Sequence, residues 1–250
     1  MSVNVRSLYD KLALEYDHRE TFRSDTVLGK LQRLRMTQVL RYIPANKVVL
    51  DVGCGSSPIL HAIARKSDVI GVDLSKRMLQ RQREEGQTLN VSLVLGVGEQ
   101  LPIRDHSIEL ATCLELVEHV ADPNELLTEI VRTLKIDGQI IISTPNSLTN
   151  PYASGSIDHL RAYKLPELAT LLSKFGNFSL VPFPVGPPLP TFVLRFLYRY
   201  GEKTLRKRSG ARKPLIMRLI DNSVLWHLAS RLWSFFPSLA FFLIARICVK

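Results

Sequence analysis

Short, continuously apolar runs alternate along this chain with longer stretches in which apolar residues return every three to four positions. The short runs are Val48–Val52, Val69–Asp73, Val91–Leu95, Ile108–Leu114 and Ile140–Thr144. They are rich in β-branched residues and carry apolar side chains at successive positions, as strands covered on both faces do. A last run, residues 239–249, is rich in Phe and Ile and reads as a final strand. The helical periods fall at residues 6–20, with Tyr9, Leu12, Ala13 and Tyr16 on one face, and at residues 26–42, 59–66 and 76–85. Asp122 followed by Pro123 opens another helix, an N-cap with proline at the first helical position. Leu126, Leu127, Ile130, Val131 and Leu134 form its stripe, and Gly138 is expected to end it. Ser75 is expected to cap the helix at Lys76 and Gly86 to stop it, while Arg33, Arg35 and Arg41 read as a solvated face. Strands alternating with helices predict an α/β fold, a doubly wound and mostly parallel sheet.

The first strand runs into Asp51-Val52-Gly53-Cys54-Gly55-Ser56-Ser57. Two glycines one residue apart let the backbone take positive φ and let a ligand approach it closely, and the helix that follows offers free N–H groups. The second strand ends on Asp73, 22 residues after Asp51, where a carboxylate can accept from ribose hydroxyls. A dinucleotide turn would carry a third glycine where Pro58 stands, so NAD and FAD are disfavoured and a ligand of adenosine type without a pyrophosphate is favoured.

These residues resemble the class I S-adenosylmethionine (SAM)-dependent methyltransferases, whose first two motifs look like V-L-D-V-G-C-G and V-I-G-V-D-L-S here. The resemblance covers roughly residues 9–180 and the terminal strand. It implies a Rossmann-like sheet of seven strands, the last antiparallel, with SAM as cofactor. It also implies a cradle of Asp51, Gly53, Cys54 and Gly55, with Asp73 and Leu74 beside the ribose, Leu114 at the end of the fourth strand, and Tyr16 over the pocket. The loop Gly96-Val97-Gly98-Glu99-Gln100-Leu101-Pro102 is similar to the family's G-D-A-E-x-L-P loop. Val97 replaces the family's aspartate, which leaves backbone groups at Val97 and Gly98 to read the adenine edge, while Glu99 is either a contact or a loop residue.

On the acceptor side, Glu115, Glu118 and His119 follow i, i+3, i+4 spacing, which brings them together if the segment is helical. Two carboxylates and an imidazole suit a divalent cation or proton transfer, and equally a structural turn in which His119 caps a backbone group. E-x-x-E-H-V resembles the quinone-biosynthesis O-methyltransferases, some of which use these residues for a metal, and it also occurs in relatives without one. Asp158-His159-Leu160-Arg161 resembles a loop of the same family and puts His159 near the acceptor.

Charge changes the picture only near the C-terminus. Of the net +10, residues 195–218 carry +8, whereas residues 1–194 are neutral. Residues 191–208 read as a basic amphipathic helix and residues 222–235 as a second amphipathic one. The resemblance makes residues 185–237 a helical insertion, or lid, before the last strand of a single domain. Phe, Leu and Trp among the basic residues favour an anionic membrane surface and a hydrophobic small-molecule substrate, quinol- or lipid-like. The alternatives are an RNA methyltransferase gripping phosphates and a SAM-binding regulatory module. Three scattered cysteines predict no disulfide, and the first residues show no secretory signal. The expected location is cytoplasmic, peripheral on the inner membrane face.

Overall fold

The computed structural model describes residues 7, 9–11, 18–24, 27–84, 90–150, 158–181 and 242–249. Tyr16, Gly86 and the helices expected within 185–237 lie outside the described residues. Helices α1 (His18–Arg23) and α2 (Val27–Leu40) lead into β1 (Val48–Val52), followed by α3 (Ile59–Ala64), β2 (Asp68–Asp73), α4 (Lys76–Glu84), β3 (Val91–Leu95) and β4 (Ile108–Leu114). After these come α5 (Pro123–Thr133), β5 (Leu134–Pro145), α6 (Leu165–Leu172), β6 (Asn177–Leu180) and β7 (Phe242–Cys248). The seven strands form one sheet in the order β3-β2-β1-β4-β5-β7-β6. Strands β1 to β5 pair in parallel, and β7 is antiparallel to both β5 and β6.

Alternation within each strand divides the core into two layers. Leu50, Ala111, Cys113, Ile140 and Ile142 pack on one face with Leu126, Leu127, Ile130 and Leu168 of α5 and α6. Val49, Leu110, Ile141 and Ile244 pack on the other with Leu31, Val39, Leu60 and Ile63 of α2 and α3. Both faces are therefore covered, which is why the strands are apolar at nearly every position. Each fully buried Leu, Ile or Val contributes roughly 1.5–3 kcal/mol.

The expected caps are present. Asp122 accepts from the N–H groups of Asn124 and Glu125 at 2.8 and 3.3 Å, and Ser75 Oγ accepts from Met78 N at 3.2 Å. Gly138 does not end α5, however. That helix stops at Thr133, and Leu134 is already extended and paired with Ile108. The next pairs run from Leu110 to Gln139, so Lys135–Gly138 loops out as an irregularity within β5. Asp137 is left-handed there, and a Cβ on Gly138 would stand 2.7 Å from the Lys135 carbonyl oxygen. The glycine signal marks that irregularity and not a helix cap. Cys54, Cys113 and Cys248 are all free, and no helix among the described residues is long and apolar enough to cross a membrane.

Candidate active site

The sheet order reverses between β1 and β4, so the crevice beyond their carboxyl ends is where an open α/β sheet takes its ligand. Gly53 and Gly55 follow β1 with φ of 70° and 50°, the left-handed region that glycine enters without strain. The turn is pinned below by Gly53 N donating to the Val72 carbonyl at 2.8 Å. It is pinned from the side by Gln82 of α4, whose Nε2 donates to the Ser57 carbonyl at 2.9 Å. A Cβ on Gly53 would meet Leu116 at 2.9 Å, whereas one on Gly55 would meet no described atom within 4 Å. Gly55 therefore marks the open side of the turn. The Cys54 side chain points inward: it is buried, its sulfur would contact a Cβ on Gly71 at 3.0 Å, and burial pushes its thiol well up.

Asp73 accepts from Gly55 N and Ser75 N, each at 2.8 Å, and so joins the glycine turn to the start of α4. Burial raises its carboxyl above the ordinary range against those two bonds. Leu74 beside it is half-buried. Asp73→Ala is expected to weaken SAM binding by about 1–3 kcal/mol, because both N–H groups lose their acceptor and the turn loses its preset shape; titration calorimetry on the variant checks this.

Asp51 is buried beneath the turn, with Oδ1 accepting from Thr112 Oγ1 at 2.6 Å and Oδ2 lacking a partner among the described residues. Burial pushes its carboxyl up to about 7, with Asp73 reinforcing the shift and Thr112 and Arg35 opposing it. The folded state thus keeps a proton that the unfolded chain loses near pH 4. Asp51 stabilises the fold fully below pH 4, and that contribution fades as pH rises toward 7. Denaturant titrations of the ligand-free protein from pH 4 to 8 are expected to lose up to ~4 kcal/mol more in the wild type than in Asp51→Asn.

The loop after β3 contributes Val97, Gly98 and Glu99. Val97 is 39% exposed, and Gly98 packs so closely on α5 that a Cβ there would stand 2.6 Å from Leu126. Packing on α5 is thus reason enough for a glycine at this position. Glu99 is half-buried, and Leu114 closes β4 against the α2 side of the core.

Glu115, Glu118 and His119 do not lie on a helix. Glu115 is left-handed with φ 54°, and a turn follows in which His119 N donates to the Leu116 carbonyl at 2.8 Å. Helical spacing therefore fails to stack the three side chains. Glu115 turns toward Arg35 and Ser143, at 2.7 and 2.9 Å from its Oε1. Glu118 is buried, with Oε2 accepting from Thr144 Oγ1 at 3.0 Å and Oε1 without a hydrogen-bond partner among the described residues, 3.9 Å from His119 Nε2. Burial, reinforced by Glu115, raises its carboxyl well above the usual range. Arg35 does not lie on a solvated face: its side chain is only 12% exposed.

His119 Nδ1 lies 3.0 Å from the Asp158 carbonyl oxygen, which can only accept, so Nδ1 carries the proton and Nε2 keeps its lone pair. Burial lowers the imidazole pKa, so the ring is neutral near pH 7. Its ring stands edge-on to His159 at 4.7 Å and to Tyr9 at 6.0 Å. Two loops are zipped together around this pair. Leu160 N and Arg161 N donate to the Glu118 carbonyl at 2.9 and 3.1 Å, and Arg161 also donates to the carbonyls of Val120 and Ala121. Among the described residues, Glu118, His119 and His159 form the set able to hold a cation, their ligand atoms all within 4.8 Å of one another. Thr112, Gln82, Arg35 and Thr144 carry no motif signal and were missed by sequence reasoning; only their place in the fold reveals them.

A model of the methyltransferase domain matches residues 50–142. Ubiquinone biosynthesis O-methyltransferases are similar in sequence. That of Neisseria meningitidis is 31% identical over 112 residues, 42% of this chain and 47% of the relative. That of Dechloromonas aromatica is 32% identical over 146 residues, 50% of this chain and 62% of the relative. The chain thus spans about half the length of the curated relatives it matches. A SAM-dependent methyltransferase of Thermotoga maritima, described as a possible histamine N-methyltransferase, shares the fold with a TM-score of 0.62 at 18% identity, over 98% of this chain and 99% of that one. The residues at the crevice fit SAM: two glycines leave room for a ligand close to the backbone, Ser56 Oγ and Asp51 Oδ2 are buried without hydrogen-bond partners among the described residues, and Asp73 stands at the adjoining strand end. The methyltransferase-domain model matches from within β1 to within β5, and with the sheet completed by an antiparallel β7 the chain shares the fold of SAM-dependent methyltransferases and resembles them in sequence.

Proposed function

We propose that the protein transfers a methyl group from SAM to a hydroxyl of a lipophilic small molecule, quinol- or lipid-like, at a membrane surface. The observation that carries this reading is His119: a largely buried, neutral imidazole with its Nδ1 proton committed to Asp158 and its Nε2, 3.9 Å from Glu118 Oε1, keeping its lone pair, at the strand end next to the glycine turn. Relatives named ubiquinone biosynthesis O-methyltransferase support oxygen as the methylated atom.

Bound SAM supplies a methyl group on a positively charged sulfur, which departs as a neutral thioether after in-line attack. The chain's task is to hold donor and acceptor about 3–3.5 Å apart and to exclude water. Asp73, the glycine turn and the loop of Val97 and Gly98 hold the donor side. His119 Nε2 takes the hydroxyl proton as the acceptor oxygen forms its bond to carbon. The Asp158 carbonyl steadies the imidazolium that results, and burial of Tyr9, with the carboxylates of Asp158, Glu118, Asp73 and Glu99 around it, keeps its phenol protonated beside the ring. A divalent cation here would be held by Glu118, His119 and His159 and would instead lower the pKa of the acceptor hydroxyl directly. Chelation that inhibits, with recovery on adding a divalent ion, marks the metal route; indifference to chelation marks His119 as the base.

The membrane part of the proposal rests on the basic segment 195–218. Each basic residue near an anionic surface contributes about 1 kcal/mol, screened by salt, and the apolar side chains add a part that salt does not remove. The protein is expected to pellet with anionic liposomes, more weakly but still measurably at high salt, and a form lacking residues 191–234 is expected not to. Equal and negligible pelleting of both forms contradicts membrane docking.

Lipid extract and RNA, each incubated with the protein and SAM labelled in its methyl group, decide the acceptor by mass spectrometry. Label in a solvent-extractable small molecule is the expected result. Label confined to RNA would overturn the reading.

A further inference from the structure

Arg35 joins four parts of the fold that are distant in sequence. It projects from α2, its Nη1 lies 2.7 Å from Glu115 Oε1 after β4 and 3.4 Å from Ser143 Oγ in β5, and its guanidinium carbon stands 5.0 Å from the centre of the Phe242 ring at the start of β7. Ser143 completes the knot by donating through Oγ to Glu115 Oε1 at 2.9 Å and accepting at its carbonyl from Glu115 N at 2.8 Å. All this is spent on a non-glycine residue in the left-handed region, a conformation that persists only where its surroundings impose it.

The residues that follow Glu115 explain what the knot holds. Leu116 packs where a Cβ on Gly53 would be, 2.9 Å away, and within 3.8 Å of one on Gly98, so it touches both loops of the cofactor side. Three positions further on, His119 N bonds back to the Leu116 carbonyl. The direction in which the chain leaves Glu115 therefore fixes Leu116 against the glycine turn and His119 against Asp158 together. We propose that Arg35 is a positioning residue for methyl transfer: by pinning Glu115 it sets the turn that carries Glu118 and His119 against the cofactor side of the crevice. The inference rests on the methyltransferase reading above. A planar guanidinium can pair with a carboxylate while lying flat on an aromatic ring, and an ammonium cannot reproduce both, so Lys at this position restores only part of the effect.

The test compares the wild type with Arg35→Met, Arg35→Lys and Glu115→Gln in four measurements: the ring C–H signals of His119 and His159 by NMR, SAM affinity, Tm, and methyl transfer to a soluble catechol used as probe. Arg35→Met is expected to move both histidine signals and to lower kcat tenfold or more, with KM for the catechol changed less than threefold and SAM affinity less than fivefold. Arg35→Lys is expected to fall between Arg35→Met and the wild type. Histidine signals that stay in place in Arg35→Met, or equal losses in Met and Lys that follow Tm alone, overturn the proposal. Should Arg35→Met fail to fold, Glu115→Gln must move the same signals, and unmoved signals there overturn it equally. A wild type that leaves the catechol unmethylated refutes the acceptor reading, while the histidine signals still decide the role of Arg35.

Discussion

Gly53→Val is expected to abolish SAM binding, with an affinity loss of at least about 100-fold, near 2.7 kcal/mol. Two costs combine at this position. The backbone sits at φ 70°, where a residue with a Cβ is strained by roughly 1–2 kcal/mol and a β-branched one more. The new Cβ would also stand 2.9 Å from both methyl carbons of Leu116, in a turn that cannot slide away because its N–H is held by the Val72 carbonyl at 2.8 Å. Gly55→Ala separates ligand from fold. A Cβ there meets no described atom within 4 Å, so the fold bears only the backbone strain at φ 50°, which thermal melting reads, and a loss of SAM affinity beyond that strain reports on the space the ligand takes. Calorimetry together with thermal melting checks both variants, and undiminished affinity in Gly53→Val contradicts the cradle.

His119→Ala is expected to lower kcat by about 10²–10⁴-fold, the usual worth of a positioned proton acceptor, while SAM affinity changes only a few-fold. The asymmetry follows from geometry. His119 touches Asp158, His159 and Tyr9, none of which belongs to the glycine turn. Steady-state rates at saturating SAM, set beside calorimetric affinities, give the split. A normal kcat would mean that the imidazole only caps the Asp158 carbonyl and that the turn is structural.

Strand positions were legible where burial on both faces leaves little choice of residue, as at Val48–Val52 and Ile108–Leu114, and the edge strand Val91–Leu95 keeps the same apolar continuity although its residues are half-buried or exposed. The glycine turn and Asp73 were legible for the same kind of reason, a backbone or charge requirement met by few residue types. Other features depend on contacts between distant segments. Nothing local marks Glu115 as left-handed, because the conformation is imposed by Arg35 and Ser143, which lie 80 and 28 residues away. Helical spacing therefore grouped Glu115 with His119, whereas the fold separates them and brings His159 in. An arginine on a helix reads as solvated, and nothing near Arg35 in sequence says otherwise, because its carboxylate follows β4 and its aromatic partner opens β7. Gly138 shows the same limit, since a glycine signals a backbone requirement without saying whether a helix end or an irregular strand imposes it.

The most direct test of the central claim is calorimetric titration of SAM, and separately of NAD, into the wild-type protein and Gly53→Val. Saturable binding of SAM to the wild type, lost in Gly53→Val, with no heat from NAD, is the predicted result. Binding of NAD, or SAM affinity unaffected by Gly53→Val, would contradict it.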